Sequence, residues 1–163
     1  MIDYTELIEN QTLCEIYMEN DDNHFHVGVI LNVNEDSIFI KSVDKRGCFD
    51  CYKILPIDYI THIQYDTPYL SKLGYSHKTE PNDLLKWDNN QEFFKYVKDN
   101  GVFIVIENYD GEEFSNGFVL DYDEGQVKLK SFDEDFKWYN GYAIINIDNF
   151  YIVKWGGEIQ LKA

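Results

Sequence analysis

The 163-residue chain carries one arginine, Arg46, and three cysteines, and it has no apolar run near the roughly 18 residues that cross a bilayer. Each scarcity excludes something. Fourteen Lys plus Arg stand against 30 Asp plus Glu, a formal charge of −16 at pH 7. A surface this negative repels phosphate backbones and anionic headgroups, so nucleic acid and membranes are unfavourable direct partners. The opening MIDYTELIEN has acids where a signal peptide has Lys or Arg, so a cytoplasmic, non-exported chain is expected. Cys14, Cys48 and Cys51 are odd in number and in that compartment stay reduced, which argues against a disulfide framework. Hydrophobic residues nevertheless make up 44% and aromatics 17%, too much for a disordered acidic chain.

The sequence repeats itself. Residues 28–44, GVILNVNEDSIFIKSVD, align without a gap on 117–133, GFVLDYDEGQVKLKSFD, with six of 17 positions identical: Gly, Leu, Glu, Lys, Ser and Asp. Further along, PIDYITHIQY at 56–65 echoes NIDNFYIVKW at 146–155. Each copy spans about 70 residues, near the lower limit for a domain that folds alone. The pattern predicts a short helix and five strands per copy.

Leu7 and Ile8 give the first helix its apolar stripe. In the second helix Phe93, Phe94 and Val97 share one side, with Gly101 as a left-handed cap. Period-two alternation places Phe25, Val27, Val29, Leu31 and Val33 on one face of a strand, and Phe114, Asn116, Phe118, Leu120 and Tyr122 on its counterpart. Gly28 and Gly117 fall mid-strand, where glycine marks a sharp bend or bulge.

Residues 67–90 between the copies hold two of the three prolines and equal numbers of Lys and acids. That divides the chain into a first unit at 1–66, a linker at 67–90 and a second unit at 91–163. The acidity belongs to both units, with four bases against 13 acids in the first and seven against 14 in the second. Leu84, Leu85 and Trp87 are too apolar for a free tether and are expected to dock on a barrel or extend the second helix.

A short helix followed by five bent strands, with Gly28, Ile30, Val33 and Asn34 in one copy and Gly117, Val119, Tyr122 and Asp123 in the other, resembles the Sm and Sm-like family, or more broadly an SH3-like small barrel. The resemblance covers both copies. It implies a mainly β fold: two tandem Sm-like or SH3-like five-stranded small barrels, each preceded by a short helix. The family's next strand carries an RNA-contacting Asn, followed later by an Arg-Gly element. Here the corresponding residues are Ile38-Phe39-Ile40 and Val127-Lys128-Leu129, and Arg46-Gly47 lies in the turn before the fourth strand. The family's RNA-binding residues are absent.

Among motifs that carry chemistry, His24 and His26 fall opposite Cys48 and Cys51 across a hairpin, a Cys2His2 set of the kind zinc takes. No cofactor is expected: exposed imidazoles and ordinary reduced thiols are the first reading of these four residues, and zinc is the alternative. Cys48-x-x-Cys51 as a redox pair lacks the helix N-terminus that lowers a thiol pKa. Acidic pairs sit in turns, and no nucleophile triad or phosphate loop is recognisable, so no enzyme activity is expected and no catalytic residue is assigned.

The aromatics outnumber what one small barrel encloses. Tyr109, Tyr122, Trp138 and Tyr139 are the candidate partner-binding residues, since Tyr and Trp rimmed by acids suit a basic protein partner. The bland alternative is packing between the copies, or a homodimer seam along unpaired edge strands. The sequence therefore points to a non-enzymatic acidic binding or inhibitory module, like an immunity protein, antitoxin or nucleic-acid mimic. A Sm-like RNA-linked regulator and a zinc-binding protein are the alternatives.

Overall fold

A computed structural model describes residues 3–19, 25–108, 113–133, 137–147, 151–157 and 159. A five-residue helix α1 (Thr5–Glu9) precedes β1 (Leu13–Met18), β2 (His26–Val33), β3 (Ser37–Val43), β4 (Phe49–Pro56) and β5 (Ile60–Tyr65). After α2 (Pro68–Lys72) and α3 (Asn90–Asp99) come β6 (Phe103–Asn108), β7 (Glu113–Asp123), β8 (Gln126–Phe132), β9 (Tyr139–Asn146) and β10 (Tyr151–Trp155). All pairings are antiparallel, and the ten strands form one open sheet in the order β5-β1-β2-β3-β4-β10-β6-β7-β8-β9. The chain is mainly β, as its alternating pattern requires.

The two five-strand sets do not stand apart. β10 hydrogen-bonds β4 with Ile54 opposite Val153, Lys53 opposite Lys154 and Tyr52 opposite Trp155. An exposed strand edge is a row of unmade hydrogen bonds, and β10 satisfies that of β4, so the sheet runs through without a break. Among the described residues β5 pairs only with β1 and β9 only with β8, leaving these two strands as the edges.

The pairings of the first half recur in the second. Gly28 faces Ser42 and Gly117 faces Ser131; Cys14 faces Gly28 and Ile104 faces Gly117; Leu55 faces Ile38 and Ile145 faces Val127. The irregularities recur too, at Ile30/Asn32 and Val119/Asp121, and at Lys41/Val43 and Lys130/Phe132. A Cβ on Gly28 would lie 2.6 Å from the Lys41 carbonyl oxygen, and one on Gly117, at φ +144°, would overlap the carbonyl of Lys130. Glycine is required at both places because a neighbouring strand passes where a side chain would be.

Those bulges correct the expected strand faces. In β2 an extra residue shifts the pleat between Ile30 and Asn32, so the simple alternation through Phe25 and Val33 is split. Ile30 and Val33 join a core with Cys14, Ile16, Ile38 and Leu55, whereas Val27 and Phe25 pack on the opposite side against Leu70 of α2. In β7 the core residues are Val119 and Tyr122, Phe118 turns to the other side, and Leu120 is exposed. Asn116 is buried, its Oδ1 accepting from the Phe132 N–H at 3.3 Å.

The larger core lies where α3 meets the sheet. Phe93, Phe94 and Val97, the face that helical periodicity selects, are buried with Ile104, Ile106 and Leu129. Asn89 caps α3 by accepting from the Glu92 N–H at 3.0 Å. Residues 67–90 dock: Trp87 is buried against Phe39 with ring centroids 4.9 Å apart, Leu85 is half buried, and Leu84 is exposed. Asn32 and Asn34 hold the Trp87 carbonyl by their Nδ2 groups at 3.2 and 2.8 Å.

A buried ion pair fixes the same segment. Lys41 Nζ sits 2.9 Å from Asp83 Oδ2, and the two side chains are 4% and 2% exposed. The Lys41 ammonium also donates to the Lys78 carbonyl at 2.9 Å; Asp83 accepts from Tyr52 Oη at 2.6 Å and from the Glu80 N–H at 2.9 Å. Each charge therefore has several partners, which a desolvated pair needs. Burial pushes the Asp83 carboxyl up, but these donors pull it further down, and it ends below the ordinary value. His77, 3.8 Å from Asp83 Oδ2, is lowered by burial and by the Lys41 charge.

Candidate functional site

Among the described residues, four of the eight exposed large hydrophobic side chains lie at the β9 end of the sheet. That group is assembled by a turn that occurs twice. Asp44 N–H donates to the Cys48 carbonyl at 2.9 Å while Asp44 Oδ1 accepts from the Cys48 N–H at 3.1 Å. In the second half Asp133 N–H donates to the Trp138 carbonyl at 2.9 Å, and Asp133 Oδ1 accepts from Lys137 and Trp138 N–H at 3.1 and 3.4 Å. An aspartate that bonds its own downstream backbone stabilises such a turn. The second of these turns delivers Trp138, 72% exposed, to the start of β9.

Tyr139, Tyr142 and Ile144 follow along β9, at 54%, 63% and 69% exposure. The Tyr139 and Tyr142 rings meet edge to face, centroids 5.7 Å apart, and a hydrogen bond with Tyr142 raises the Tyr139 phenol above its ordinary value. Lys128 Nζ lies 5.9 Å from the Tyr142 centroid and Lys130 Nζ 5.5 Å from that of Tyr139, within cation–π range. β9 itself, YNGYAIIN, has no charged residue.

In the first half the same positions are covered. Tyr52 and Ile54, the counterparts of Tyr142 and Ile144, are 3% and 6% exposed. Tyr52 stacks on Trp155 with centroids 4.7 Å apart and tilts against Phe39 at 5.5 Å. One surface of the sheet is thus closed by β10 and the linker at β4 and open at β9.

The other described sequence candidates sit in different surroundings. Tyr122 is half buried, its ring stacked on Phe94 at 4.6 Å, and so serves the helix contact. Tyr109 and His24 lie outside the described residues. His26 opens β2, with Nδ1 3.2 Å from Lys53 Nζ. Cys48 is exposed in the turn before β4, while Cys51 is buried with Phe103 and Val105 and burial pushes its thiol up to about 12. Among the described residues no three His, Cys, Asp or Glu side chains are placed so that they could hold a metal ion. Burial also lowers Lys53, which lies near Cys51 and Lys154; Lys154 in turn bonds Glu107 at 2.7 Å.

The sequence points to Trp138 and Tyr139 as binding residues but not to Tyr142 or Ile144. The signal was present in the alignment of Ile144 with Ile54, yet whether such a position is covered depends on which strand joins β4. The chain matches no family model, and no curated protein or solved structure is significantly similar to it, so its own repeated pairings carry the interpretation.

Proposed function

We propose that this chain is a pair of tandem Sm-like small barrels acting as a non-enzymatic protein-binding module. Its carboxylate-rich exterior steers a basic protein, and the β9 surface is a docking face. The observation that carries this reading is the side-by-side exposure of Trp138, Tyr139, Tyr142 and Ile144 on an edge strand. Large apolar patches on a soluble chain mark interaction sites, and Tyr and Trp supply most of the energy where proteins meet.

The −16 charge supports a basic partner because opposite fields accelerate encounter. Recurrence of the strand order and of the two mid-strand glycines supports the tandem-barrel reading. Affinity capture at low salt followed by stopped-flow association with the purified partner tests the function. The association rate should fall roughly tenfold between about 0.03 and 0.3 M salt. A partner without a basic patch, or a salt-independent rate, refutes it.

Lys128 and Lys130 beside exposed rings favour one second reading, an RNA-linked regulator, since stacked bases and phosphates suit that composition. A gel shift with tight, salt-sensitive RNA binding would put it first.

A further inference from the structure

At the opposite end of the sheet from β9, a glutamate is buried where the fold does not need one. Glu15 of β1 is 5% exposed and stands opposite Val27 of β2 on one side and Gln64 of β5 on the other. Its Oε1 accepts from Tyr17 Oη at 3.0 Å, whereas Oε2 is buried without a hydrogen-bond partner. Among the described residues no Lys or Arg forms an ion pair with it. A buried carboxylate that lacks a counter-charge is costly.

The second half shows what the fold alone asks for at this place. Ninety residues on, β6 carries Val105, 3% exposed, where β1 carries Glu15. The surroundings correspond, since Cys14 faces Gly28 as Ile104 faces Gly117. Valine suits a buried strand position, so β1 does not require the carboxylate. A residue kept against the local structural preference points to function.

Four rings form a row on the Tyr17 side of this strand. The His62 imidazole stacks on Tyr17 with centroids 4.2 Å apart and planes 8° from parallel; Tyr17 meets Phe25 at 5.1 Å, and Phe25 meets Tyr69 edge to face at 5.3 Å. The row runs from β5 across β1 to α2, and His62 and Tyr69 at its ends are exposed. Leu13, two residues before Glu15 and on the same strand face, lines a groove of about 530 Å³ together with Leu70, Tyr75 and Asp66. No Lys or Arg lines it.

We infer that Glu15 and this row form an anchoring site for a guanidinium group, the side chain of an arginine on the basic protein partner. The site rests on the basic-partner reading and names the residue type that partner supplies, at a place separate from β9. Each part has a matching role. The carboxylate accepts guanidinium N–H donors, and the arginine brings the counter-charge that Glu15 lacks. Aromatic faces attract the cation, and a flat guanidinium stacks on them as a compact ammonium does not. The apolar groove wall receives the aliphatic stem. Reaching Glu15 requires a side chain to turn, and the half-buried Tyr17 and the 41% exposed Tyr69 lie at the surface, where rotamer changes accompany binding.

Titration of the full chain with N-acetyl-arginine methylamide, followed by backbone amide NMR shifts, tests the site. Shifts are expected at residues 13–17, 25–28 and 62–65 rather than along β9, with weaker binding of the equivalent blocked lysine and none of the blocked glutamate. Glu15→Gln should weaken arginine binding roughly tenfold, because a charged acceptor becomes a neutral one. Tyr17→Leu should weaken it roughly threefold through the lost cation–π contact. Glu15→Val, which copies the second half, should abolish binding and raise the thermal midpoint, whereas a carboxylate with a purely structural role would give a lower one.

Absence of shifts at these residues, binding unchanged in Glu15→Gln, equal binding of blocked lysine, or a lower midpoint in Glu15→Val overturns the proposal. If blocked arginine binds here but no basic protein is captured, the guanidinium site stands and the protein-binding module falls. If a basic protein is captured with the same affinity by Glu15→Val, the module stands and this site falls.

Discussion

Removing the Asp83 carboxylate should unfasten the linker from the sheet. In Asp83→Ala the Lys41 ammonium, 4% exposed, keeps the Lys78 carbonyl and the Phe49 ring, 5.2 Å away, but loses its counter-charge, and the Tyr52 hydroxyl and Glu80 N–H lose their acceptor. Breaking one side of a buried pair costs about 3–5 kcal/mol because the other charge is left uncompensated. That is a large part of the total stability of a chain this size, roughly 5–15 kcal/mol. Replacing both partners, Lys41→Met with Asp83→Leu, removes the stranded charge and should recover most of the loss.

Acid should loosen the same contact in two stages. His77 has a folded pKa below its ordinary 6.5, and Asp83 one below 3.8, so for each the unfolded state binds more protons. Stability therefore falls as pH falls, first below about 6.5 as unfolded His77 protonates and again below about 4 with Asp83. Urea unfolding followed by tryptophan fluorescence reads both effects, since Trp87 and Trp155 lie in the adjoining core. A loss under about 1 kcal/mol in Asp83→Ala at pH 7, or a double variant as unstable as the sum of the singles, would refute this account.

Three further outcomes are expected. Gly117→Ala should destabilise more than Gly28→Ala, because residue 117 has positive φ as well as the tighter approach to a neighbouring carbonyl; a thermal-melt difference of the opposite sign would contradict the glycine argument. Iodoacetamide at pH 7.5 should label Cys48 first in the folded protein and leave Cys14 and Cys51, whose thiols burial pushes up to about 12, until urea is added, as intact mass will show. Trp138→Ala should change stability by no more than about 0.5 kcal/mol while weakening partner capture, since its ring rests mostly in solvent.

The strands were legible because alternation records the pleat, and the repeat was legible because both halves make the same approach of strand to strand. Gly28, Lys41 and Ser42 reappear as Gly117, Lys130 and Ser131 where the pairing geometry is the same. The faces beyond the bulges were not legible. One extra residue at Ile30–Asn32 leaves composition untouched but puts Val33 in the core with Ile30 and Cys14, while Phe25 and Val27 stay on the other side. Lys41 and Asp83 were equally hidden, being 42 positions apart with no local signature.

The candidate site shows where a repeat stops informing. Phe39, Tyr52 and Ile54 align with Lys128, Tyr142 and Ile144; the first set is buried by β10, Trp87 and α3, the second exposed. Two of these three pairs are Tyr with Tyr and Ile with Ile, so side-chain type alone cannot distinguish a closed junction from an open one. The third pair can. A lysine where the covered copy has phenylalanine fits a surface that stays open to water, because Lys128 is exposed and its ammonium lies 5.9 Å from the Tyr142 ring centroid. Lys128→Phe should therefore restore the apolar character of the internal junction. The substitution is expected to raise the fluorescence of a dye that binds exposed apolar surface on the folded chain, and no rise would mean that Lys128 does not limit the apolar area of the β9 face.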